Sequence, residues 1–502
     1  MAENPKAKDP SSTSEEYDIM AGRWALISAL LGGSEAMRAA GRAFLPQHAA
    51  EQDRTYNERL ACACLLNATA KTLERLVGKP FAEPIQLQDV PAQISELFDD
   101  IDLKGNRLDV FARDWFEGGL AKAFCHVVVE FPKKKEETRT LEQQRAANLR
   151  PYWVLVMPEC LLDAREETVG GVRVLTHARI EESYDVVQGY TKVKRRRIRV
   201  FDKTAAGVEV KLMVPEENAA GEVKEWKQDG PPRVLGVPFI PIVTWYSAKR
   251  EGLMLAKPRL QDLAELNKTH WQSSSDQRHI LTVARFPILA ASGAAAPAKK
   301  GGKDGAPNVT IGPNKILWMP DPQGRYYYVE HTGAAIEAGR KDLQDLEAQM
   351  DSYGGQFLKA KPGTQTATEK SIDTAEATSE LAAMVQTFQD AMALAFWMTA
   401  QWLGMGEEVN AGVPKISTNW STEPPTIEDR KETVLELQTG IIVESEARAR
   451  LQQAGVATLS LEEYRAEKEA TVSYTPGTAA NPKQPPVQGS PADEQQPTEG
   501  AA

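Results

Sequence analysis

One stretch limits the possible folds more than any other: KPRLQDLAELNKTHWQSSSDQRHILTVARFP, from Lys257 to Pro287. Its length, and the prolines near both of its ends, are typical of one long helix. Its middle, NKTHWQSSSDQRH, is polar almost all the way round. A helix that is polar on every side is not stable alone in an ordinary core. We therefore expect this helix to be surrounded by other helices, including those of further copies of the chain.

A second long helix is predicted at 334–354, after an insert at 286–333 that contains two predicted strands and a loop rich in Ala and Gly. At 1.5 Å per residue the first helix, 257–285, is roughly 40 Å long and the second roughly 30 Å. An antiparallel helix pair with a β insert at its tip forms a rod. Identical rods in a closed ring cover part of each other's surface, and the remaining polar face can line a water-filled hole.

The rest of the chain predicts an α+β fold. Residues 17–120 have a helical pattern that breaks at Gly32 and Gly33, and residues 125–246 contain short β-branched runs at hairpin spacing, which predict an antiparallel sheet. Residues 56–81 predict one amphipathic helix, and the apolar pattern near 373–405 predicts another long helix. The buried side of the 56–81 helix is predicted to consist of Leu60, Ala63, Cys64, Asn67, Thr69, Leu73 and Leu76.

Composition narrows the class of protein. An apolar content of 42% in 502 residues predicts a globular body of two to four domains. The four cysteines are too few for a disulfide framework, so we expect a reducing compartment. The chain lacks a signal-peptide core and an apolar run of about 18 residues, so we expect a soluble, intracellular protein. The net charge of −11 argues against tight binding of nucleic acid through phosphate neutralisation.

Motifs for catalysis or for metal and cofactor binding are weak, and we predict no enzyme, no metal site and no cofactor. The sequence LVGKPF lacks the spacing of a phosphate loop. Cys62 and Cys64 lack a second ligand pair, so we interpret them as core cysteines of a helix. Asp99, Asp100 and Asp102 could hold Mg²⁺, but a solvated turn before a helix is the favoured interpretation.

Two histidines and one basic run are also candidates for binding sites. His270 and His279 share one helix, but nine residues put them on opposite faces, which excludes a shared metal site there. The basic run KVKRRRIRV, 192–200, could contact nucleic acid, although alternation along a strand favours a solvated sheet face or a charged edge.

The order of these elements resembles that of the portal proteins of tailed bacteriophages, and in particular a portal subfamily that is catalogued under a domain-of-unknown-function name. The resemblance covers most of residues 20–405, and the order of the stretches is more specific than any one of them. The stretches are GRAFLP, YNERLACACLLNATAKTLERLVGKPF, DIDLKGNRLDVFA, RPYWVLVMPECLLD, the 257–287 stretch, TIGPNKILWMP, YYYVEHTGAAIEAGRKDLQDLEAQM and TATEKSIDTAEATSELAAM.

The resemblance implies a portal fold with a mixed wing domain, a two-helix stem, a small α/β clip and a helical crown. Carried onto this chain, the implied order is a disordered tail at 1–17, the wing at 18–256, stem helices at 257–285 and 334–354, the clip at 286–333, a channel loop at 355–372, a wing helix at 373–405, the crown at 406–472 and a disordered tail at 473–502. The clip segment 291–307 looks long and loose for this family.

The family also implies a function: a homo-oligomeric ring, usually a dodecamer, at a capsid vertex of the virion, through which double-stranded DNA is packaged and ejected. The implied partners are the terminase packaging motor, a head-completion or adaptor protein, and the major capsid and scaffolding proteins, with no membrane; assembly is expected in the host cytoplasm. Two alternatives remain: another head-morphogenesis protein, or a packaging-associated nuclease.

The candidate site residues follow from this resemblance. In the channel loop they are Lys359, Lys361, Thr364, Gln365, Thr366 and Lys370. In the first stem helix, Trp271 and Leu281 are candidates for packing between subunits. His270 is a further candidate for stem packing or the channel wall. Asn267, Ser274 and Gln277 are candidates for polar contacts between stems or for the channel wall.

Overall fold

The computed structural model describes residues 9–132, 148–218, 223–284, 288–292, 323–329, 333–355, 367–406, 408–418, 420, 427–453, 457 and 463–467. The chain divides into two compact units, Met1–Trp420 and Ser421–Ala502. Helices and antiparallel sheets are both present, which confirms the mixed fold class.

The first unit opens with a helical region. Its helices are α1 (Glu15–Leu31), α2 (Gly33–Ala40), α3 (Asp53–Cys62), α4 (Ala68–Gly78), α5 (Ala92–Ser95) and α6 (Leu108–Lys122). Helix α1 begins after Ser14, whose side chain accepts a hydrogen bond from the backbone of Tyr17. The predicted break at Gly32 and Gly33 is confirmed, and Gly33 has a φ of +72° that favours glycine.

The prediction of one helix over 56–81 is wrong, because the chain breaks between α3 and α4. The Ala63 carbonyl, which would continue α3, accepts hydrogen bonds of 2.9 and 2.6 Å from the guanidinium of Arg38. Asn67 then starts α4 by accepting the backbone N–H of Ala70 at 3.0 Å. Contacts from distant residues therefore override the local amphipathic pattern.

The break also changes the interpretation of the cysteines in this region. Cys62 ends α3 and Cys64 lies in the break, and both are exposed instead of forming part of the core. Asn67 and Leu60 are only half-buried, whereas Thr69, Leu73 and Leu76 are buried as predicted, as is Ala63.

Two sheets confirm the predicted antiparallel strands. A three-stranded sheet has the order β10–β2–β3, formed by Ile242–Tyr246, Phe124–Glu130 and Tyr152–Val156. A second sheet runs β4 (Leu161–Val169), β5 (Val172–Gln188), β6 (Thr191–Thr204), β7 (Gly207–Glu217) and β8 (Val223–Gln228), with β9 (Arg233–Val234) also paired to β7. The short strands β11 (Arg250–Gly252) and β12 (Leu255–Ala256) form a separate pair.

Three long helices follow, namely α7 (Gln261–Ala284), α8 (Ala334–Gly355) and α9 (Ala367–Trp402). Between α7 and α8, β13 (Ile288–Ser292) pairs antiparallel with β14 (Arg325–Val329). Helix α9 begins before the predicted start at 373, so Lys370 lies in a helix and not in a loop. The other channel-loop candidates, Lys359, Lys361, Thr364, Gln365 and Thr366, lie outside the described residues, as does most of the clip segment 291–307.

The main core forms where α9 crosses the three-stranded sheet and α6. The Phe388 ring lies 5.1 Å from that of Trp115, 5.2 Å from that of Phe116 and 4.9 Å from that of Trp245. A Cβ on Gly119 would lie 2.4 Å from the Trp245 ring, so only glycine lets α6 pack this closely against Trp245 of β10. The apolar pattern predicted near 373–405 is confirmed. Leu403, just after the end of α9, is half-buried, and the members within α9 are buried: Leu381, Met384, Val385, Phe388, Met392, Ala395 and Phe396.

The predicted crown, 406–472, does not form one region. The short strand β15 (Val413–Lys415) pairs with β1 (Gln86–Gln88), and Ile416 is buried in the main core. The start of the predicted crown therefore packs within the first unit. The second unit contains α10 (Ile427–Gln438) and α11 (Glu444–Gln453). Within the described part of the chain, no helix has both the length and the hydropathy needed to cross a membrane.

Candidate functional site

Helices α7 and α8 lie antiparallel and make direct polar contacts. His270 Nε2 lies 3.3 Å from Glu347 Oε1, and Gln277 Nε2 donates to the Ile336 carbonyl at 2.8 Å. The later α7 residue contacts the earlier α8 residue, as expected for antiparallel helices. The β13–β14 pair begins at Ile288↔Val329, close in sequence to both helices. We call α7, β13, β14 and α8 together the helix–hairpin–helix unit.

The polar middle of α7 is held by side chains and carbonyls from α1–α4 and their loops. Asn267 is fully buried; its Oδ1 accepts from the Thr69 backbone and from the Thr69 hydroxyl, both at 3.1 Å. Its Nδ2 donates to the Leu66 carbonyl at 2.8 Å. One turn and a half further on, Gln272 donates to the Phe44 carbonyl at 2.6 Å. These hydrogen bonds replace those that the Asn267 amide loses on leaving water.

A buried ion cluster fixes the next turn of α7. Arg59 Nη2 lies 2.8 Å from Glu51 Oε2, and Arg59 Nη1 lies 3.0 Å from Asp276 Oδ1 on α7. Arg59 also donates to the Pro46 carbonyl at 2.8 Å, and His48 Nε2 lies 3.3 Å from Asp276. The side chains of Arg59 and Glu51 are only 2% and 6% exposed.

The charge state of this cluster is strongly fixed. Hydrogen bonding from the Arg59 guanidinium lowers the pKa of Glu51 to about 2. The same pairing with Glu51 raises the pKa of Arg59. Sequence reasoning missed this cluster because Arg59 and Asp276 are separated by 217 residues and neither belongs to a local motif.

These contacts correct several predictions for α7. Trp271 is fully buried in its own chain, so its side chain does not pack against another subunit, and Asn267 is equally inaccessible to a channel. His270 and Gln277 are buried between the two long helices of one chain. Gly339 of α8 makes room for Gln277, because a Cβ there would lie 2.2 Å from Gln277 Oε1.

Two other α7 candidates have a different environment. Ser274 and Leu281 are half-buried, so each retains some surface. Their contact with a neighbouring subunit or with a channel stays a prediction.

Helix α8 contrasts with α7 because most of it is exposed. Its covered positions repeat at alternating spacings of three and four residues, as in a coiled-coil seam. They are Ile336, Gly339, Leu343, Leu346 and Met350. The remaining surface, which we call the outer face of α8, carries Glu337, Arg340, Lys341, Asp342, Asp345, Glu347 and Asp351. Five carboxylates against two cations make this face acidic.

The basic run of β6 is largely neutralised. Arg195, Arg196 and Arg197 each lie within ion-pair distance of a glutamate, namely Glu217, Glu181 and Glu182. Arg199 contacts both Glu130 and Glu182, and burial lowers the pKa of this guanidinium to about 10. The charged-sheet interpretation therefore accounts for the arginines of this run.

The acidic turn at 99–102 has a structural role. Asp102 Oδ1 accepts the backbone N–H of Lys104 at 2.9 Å, and Asp102 Oδ2 accepts the Asn106 amide at 2.8 Å. Burial raises the pKa of Asp102, but these hydrogen bonds outweigh it, and the pKa is lowered overall. The turn interpretation is confirmed, although Asp102 is buried and not solvated. Among the described residues no three His, Cys, Asp or Glu side chains are grouped to hold a metal ion.

Comparisons with known proteins give one family match. The model of a family described as "Domain of unknown function (DUF4055)" matches residues 259–403, which contain the helix–hairpin–helix unit and α9. No curated protein matches the chain.

Three solved structures of gene transfer agent (GTA) particles contain similar chains. A chain from the neck of an empty GTA particle is 14% identical, with 82% of this chain and 99% of that chain covered and a TM-score of 0.41. A chain from the virion of a native particle is 12% identical, with 83% and 98% covered and a TM-score of 0.37. A chain from the neck of a native particle is 12% identical, with 82% and 98% covered and a TM-score of 0.38.

Proposed function

We propose that the chain is a structural subunit of a phage head or neck and, more specifically, a portal protein. In this role it forms a ring at a capsid vertex through which double-stranded DNA is packaged and ejected. The observation that carries the proposal is the helix–hairpin–helix unit: α8 is covered along one narrow seam and leaves its outer face to other molecules. This is the order of stem helix, clip and stem helix that the sequence resemblance implies.

The physical chemistry of the outer face fits a conduit. DNA affinity rises with each phosphate that a protein neutralises, and translocation has to break those contacts again. The outer face of α8 is acidic, and the whole chain carries a net charge of −11. Such a surface repels the DNA backbone and permits passage without tight binding.

A ring also explains how a polar, exposed helix can be useful. In a closed assembly the same patch recurs on every subunit, so each outer face either contacts a neighbouring copy or borders the central hole. Helix α7 is already occupied by contacts within its own chain, so α8 supplies most of the stem surface left for these two roles. The terminase motor, an adaptor protein and the capsid and scaffolding proteins are the partners that this role requires.

Light scattering and negative-stain microscopy of the purified full chain test the proposal. Twelve chains of 55.2 kDa give a particle of about 660 kDa, and end-on images should show a ring with a central hole. A ring with another subunit number would keep the class and correct the stoichiometry. A stable monomer, above all one with metal-dependent nuclease activity, would overturn the proposal.

The channel-loop assignment has a separate test. Replacing Lys359, Lys361 and Lys370 together by alanine should change the length or the retention of packaged DNA in a packaging reaction with the matching motor. The reason is that Lys359 and Lys361 are cations of a loop proposed to touch phosphates, and Lys370 lies in the first turn of α9, directly after that loop. Unaltered packaging and retention would count against the loop and leave the ring intact.

A further inference from the structure

The six-stranded sheet has a projecting arm formed by β5 and β6 alone. Strand β4 pairs with β5 only as far as Ile180, and β7 pairs with β6 only from Ile198 onward. The register from Glu182↔Arg197 to Gln188↔Thr191 therefore has no third strand. We call residues 182–197 the β5–β6 arm; seven residues per strand give it a length of roughly 23 Å.

One face of the arm is neutralised by carboxylates of the arm itself and of β7. Arg197 Nε donates to Glu182 Oε2 at 2.7 Å, and the Arg197 guanidinium lies 5.2 Å from the centre of the Tyr184 ring. Arg195 Nη1 lies 2.5 Å from Glu217 Oε2. Since each arginine on this face has a carboxylate, the face has little charge to offer a partner.

The opposite face of the arm carries three cations. Lys192, Lys194 and Arg196 alternate along β6 on this side. Arg196 lies 3.7 Å from Glu181 and 5.4 Å from the centre of the Trp226 ring. Lys192 and Lys194 are exposed and form no ion pair within the ranges that the structure describes, although Asp185 stands opposite Lys194 in the register.

The tip of the arm is apolar and uncovered. Tyr190 is 108% exposed and Val187 is 66% exposed, on either side of Gly189 with its φ of +61°. A two-stranded ribbon is only marginally stable in water unless something packs on it. Tyrosine is also enriched at protein interfaces, because its ring offers large contact area with one polar end. The arm therefore has the composition of a surface that binds another molecule.

We propose that the β5–β6 arm binds a neighbouring copy of this chain, through Lys192 and Lys194 on one face and Val187 and Tyr190 at its tip. Charge complementarity carries the choice of partner: a basic arm projects from a chain whose net charge is −11. The outer face of α8 alone presents Asp342, Asp345 and Asp351, which form no ion pairs in the described part of the chain.

Nucleic acid is the less suitable partner for the arm. Binding to a DNA backbone rests on several neutralised phosphates, and most cations of this run already have carboxylate partners. The exposed aliphatic and aromatic tip also matches a protein surface better than a phosphate backbone. The inference rests on the proposed ring, since a closed ring places a second copy beside every arm.

Carbodiimide cross-linking of the purified full chain tests the arm directly. The reagent joins a lysine amine to a carboxylate in contact with it, so a contact between copies gives a dimer band on a denaturing gel. The double variant Lys192→Gln and Lys194→Gln should reduce that band several-fold, and mass spectrometry of the wild-type band should identify the acceptor carboxylate. The matched control is Lys203→Gln with Lys224→Gln, two exposed lysines of the same sheet outside the arm.

A charge-reversal variant adds an assembly readout. Lys192→Glu with Lys194→Glu should shift light-scattering mass from ring to smaller species at a given protein concentration, and Tyr190→Ala should do so more weakly. Far-UV circular dichroism checks the fold, and the spectrum should stay unchanged because these side chains are exposed.

The outcomes separate the two proposals. If the wild type forms rings and both arm variants cross-link and assemble like the control, the arm inference is overturned while the portal proposal stands. If the wild type is monomeric, both are overturned. If the arm variants assemble normally but lose binding to a DNA duplex in a filter assay, the arm is a nucleic-acid contact and the inference is again overturned.

Discussion

Helices α7 and α8 are neighbours of similar polarity, yet their surroundings differ sharply. On α7 the polar residues Asn267, His270, Ser275 and Gln277 are all buried. Among the α8 residues whose burial the structure describes, only Leu346 and Met350 are buried, and both are apolar. Polar composition thus does not decide exposure: the amides of Asn267 and Gln277 are buried because other groups of the chain satisfy their hydrogen bonds.

The comparison assigns different tasks to the two helices. Helix α7 joins the helix–hairpin–helix unit to the helical region at the start of the chain, from which its partners Thr69, Arg59 and Phe44 come. Helix α8 packs mainly through its seam and carries the outward surface. Mutations that disturb α7 should therefore affect folding, whereas mutations of the outer face of α8 should affect assembly.

The largest expected effect comes from Arg59→Met. This change leaves the carboxylates of Glu51 and Asp276 without their common cation, and an uncompensated buried charge costs about 3–5 kcal/mol of unfolding free energy. Guanidinium-induced unfolding measures it. The matched control on α8 is Arg340→Met, which breaks the exposed pair with Glu337 and should leave the transition unchanged. Equal effects at both sites would contradict the contrast between the helices.

Acid should weaken the same cluster. The folded pKa of Glu51, about 2, lies below its usual 4.5, so this carboxylate stabilises the fold above pH 4.5 and loses that contribution as the pH falls toward 2. Denaturant unfolding at pH 5, 4, 3 and 2 measures the effect. The free energy of unfolding should fall steeply with decreasing pH in the wild type and less steeply in Glu51→Gln. Glu337→Gln on α8 should stay close to the wild type, since the ion pair of Glu337 with Arg340 is exposed and screened by solvent.

Removing one amide on α7 should cost less. Asn267→Ala leaves the Thr69 donors and the Leu66 carbonyl without their buried partner, with an expected loss of about 1–3 kcal/mol. Gln349→Ala on the exposed surface of α8 is the control and should stay within about 0.5 kcal/mol of the wild type. A loss at Gln349 as large as that at Asn267 would show that the outer face is needed for folding.

Local patterns predicted the elements whose structure is set locally. The Gly32–Gly33 break, the antiparallel strands and the apolar stripe of α9 all follow from residue type and spacing within short windows. The interruption between α3 and α4 does not, because Arg38 reaches the Ala63 carbonyl from another helix. Asn67 was the available signal, since asparagine is a preferred residue before a helix.

The surroundings of α7 were beyond sequence reasoning for a related reason. A polar helix in a single sequence is equally compatible with solvent, with a neighbouring copy and with buried partners, and only the position of distant residues decides among them. Asn267 accepts a hydrogen bond from Thr69, 198 residues earlier in the chain, and Asp276 accepts one from Arg59. The basic run of β6 is an intermediate case: its alternation predicted a charged sheet, but which lysines stay free depends on the register with β5.

The smallest expected effect is also the sharpest probe of the contact between α7 and α8. Gly339→Ala should gain about 1 kcal/mol from better helix propensity. It should lose a similar amount, because the new Cβ displaces the end of Gln277, which now donates to the Ile336 carbonyl. The single variant should therefore unfold close to the wild type.

A double-mutant cycle separates these two opposing terms. In a Gln277→Ala background there is no side-chain end to displace, so adding Gly339→Ala should then stabilise the chain by about 1 kcal/mol. Denaturant unfolding of the four proteins gives the coupling free energy between the two sites. A coupling of zero would mean that Gln277 and Gly339 do not touch, and hence that α7 and α8 are not paired in this register. A clear coupling would place the seam of α8 against α7 and leave the outer face as the surface that a second copy can reach.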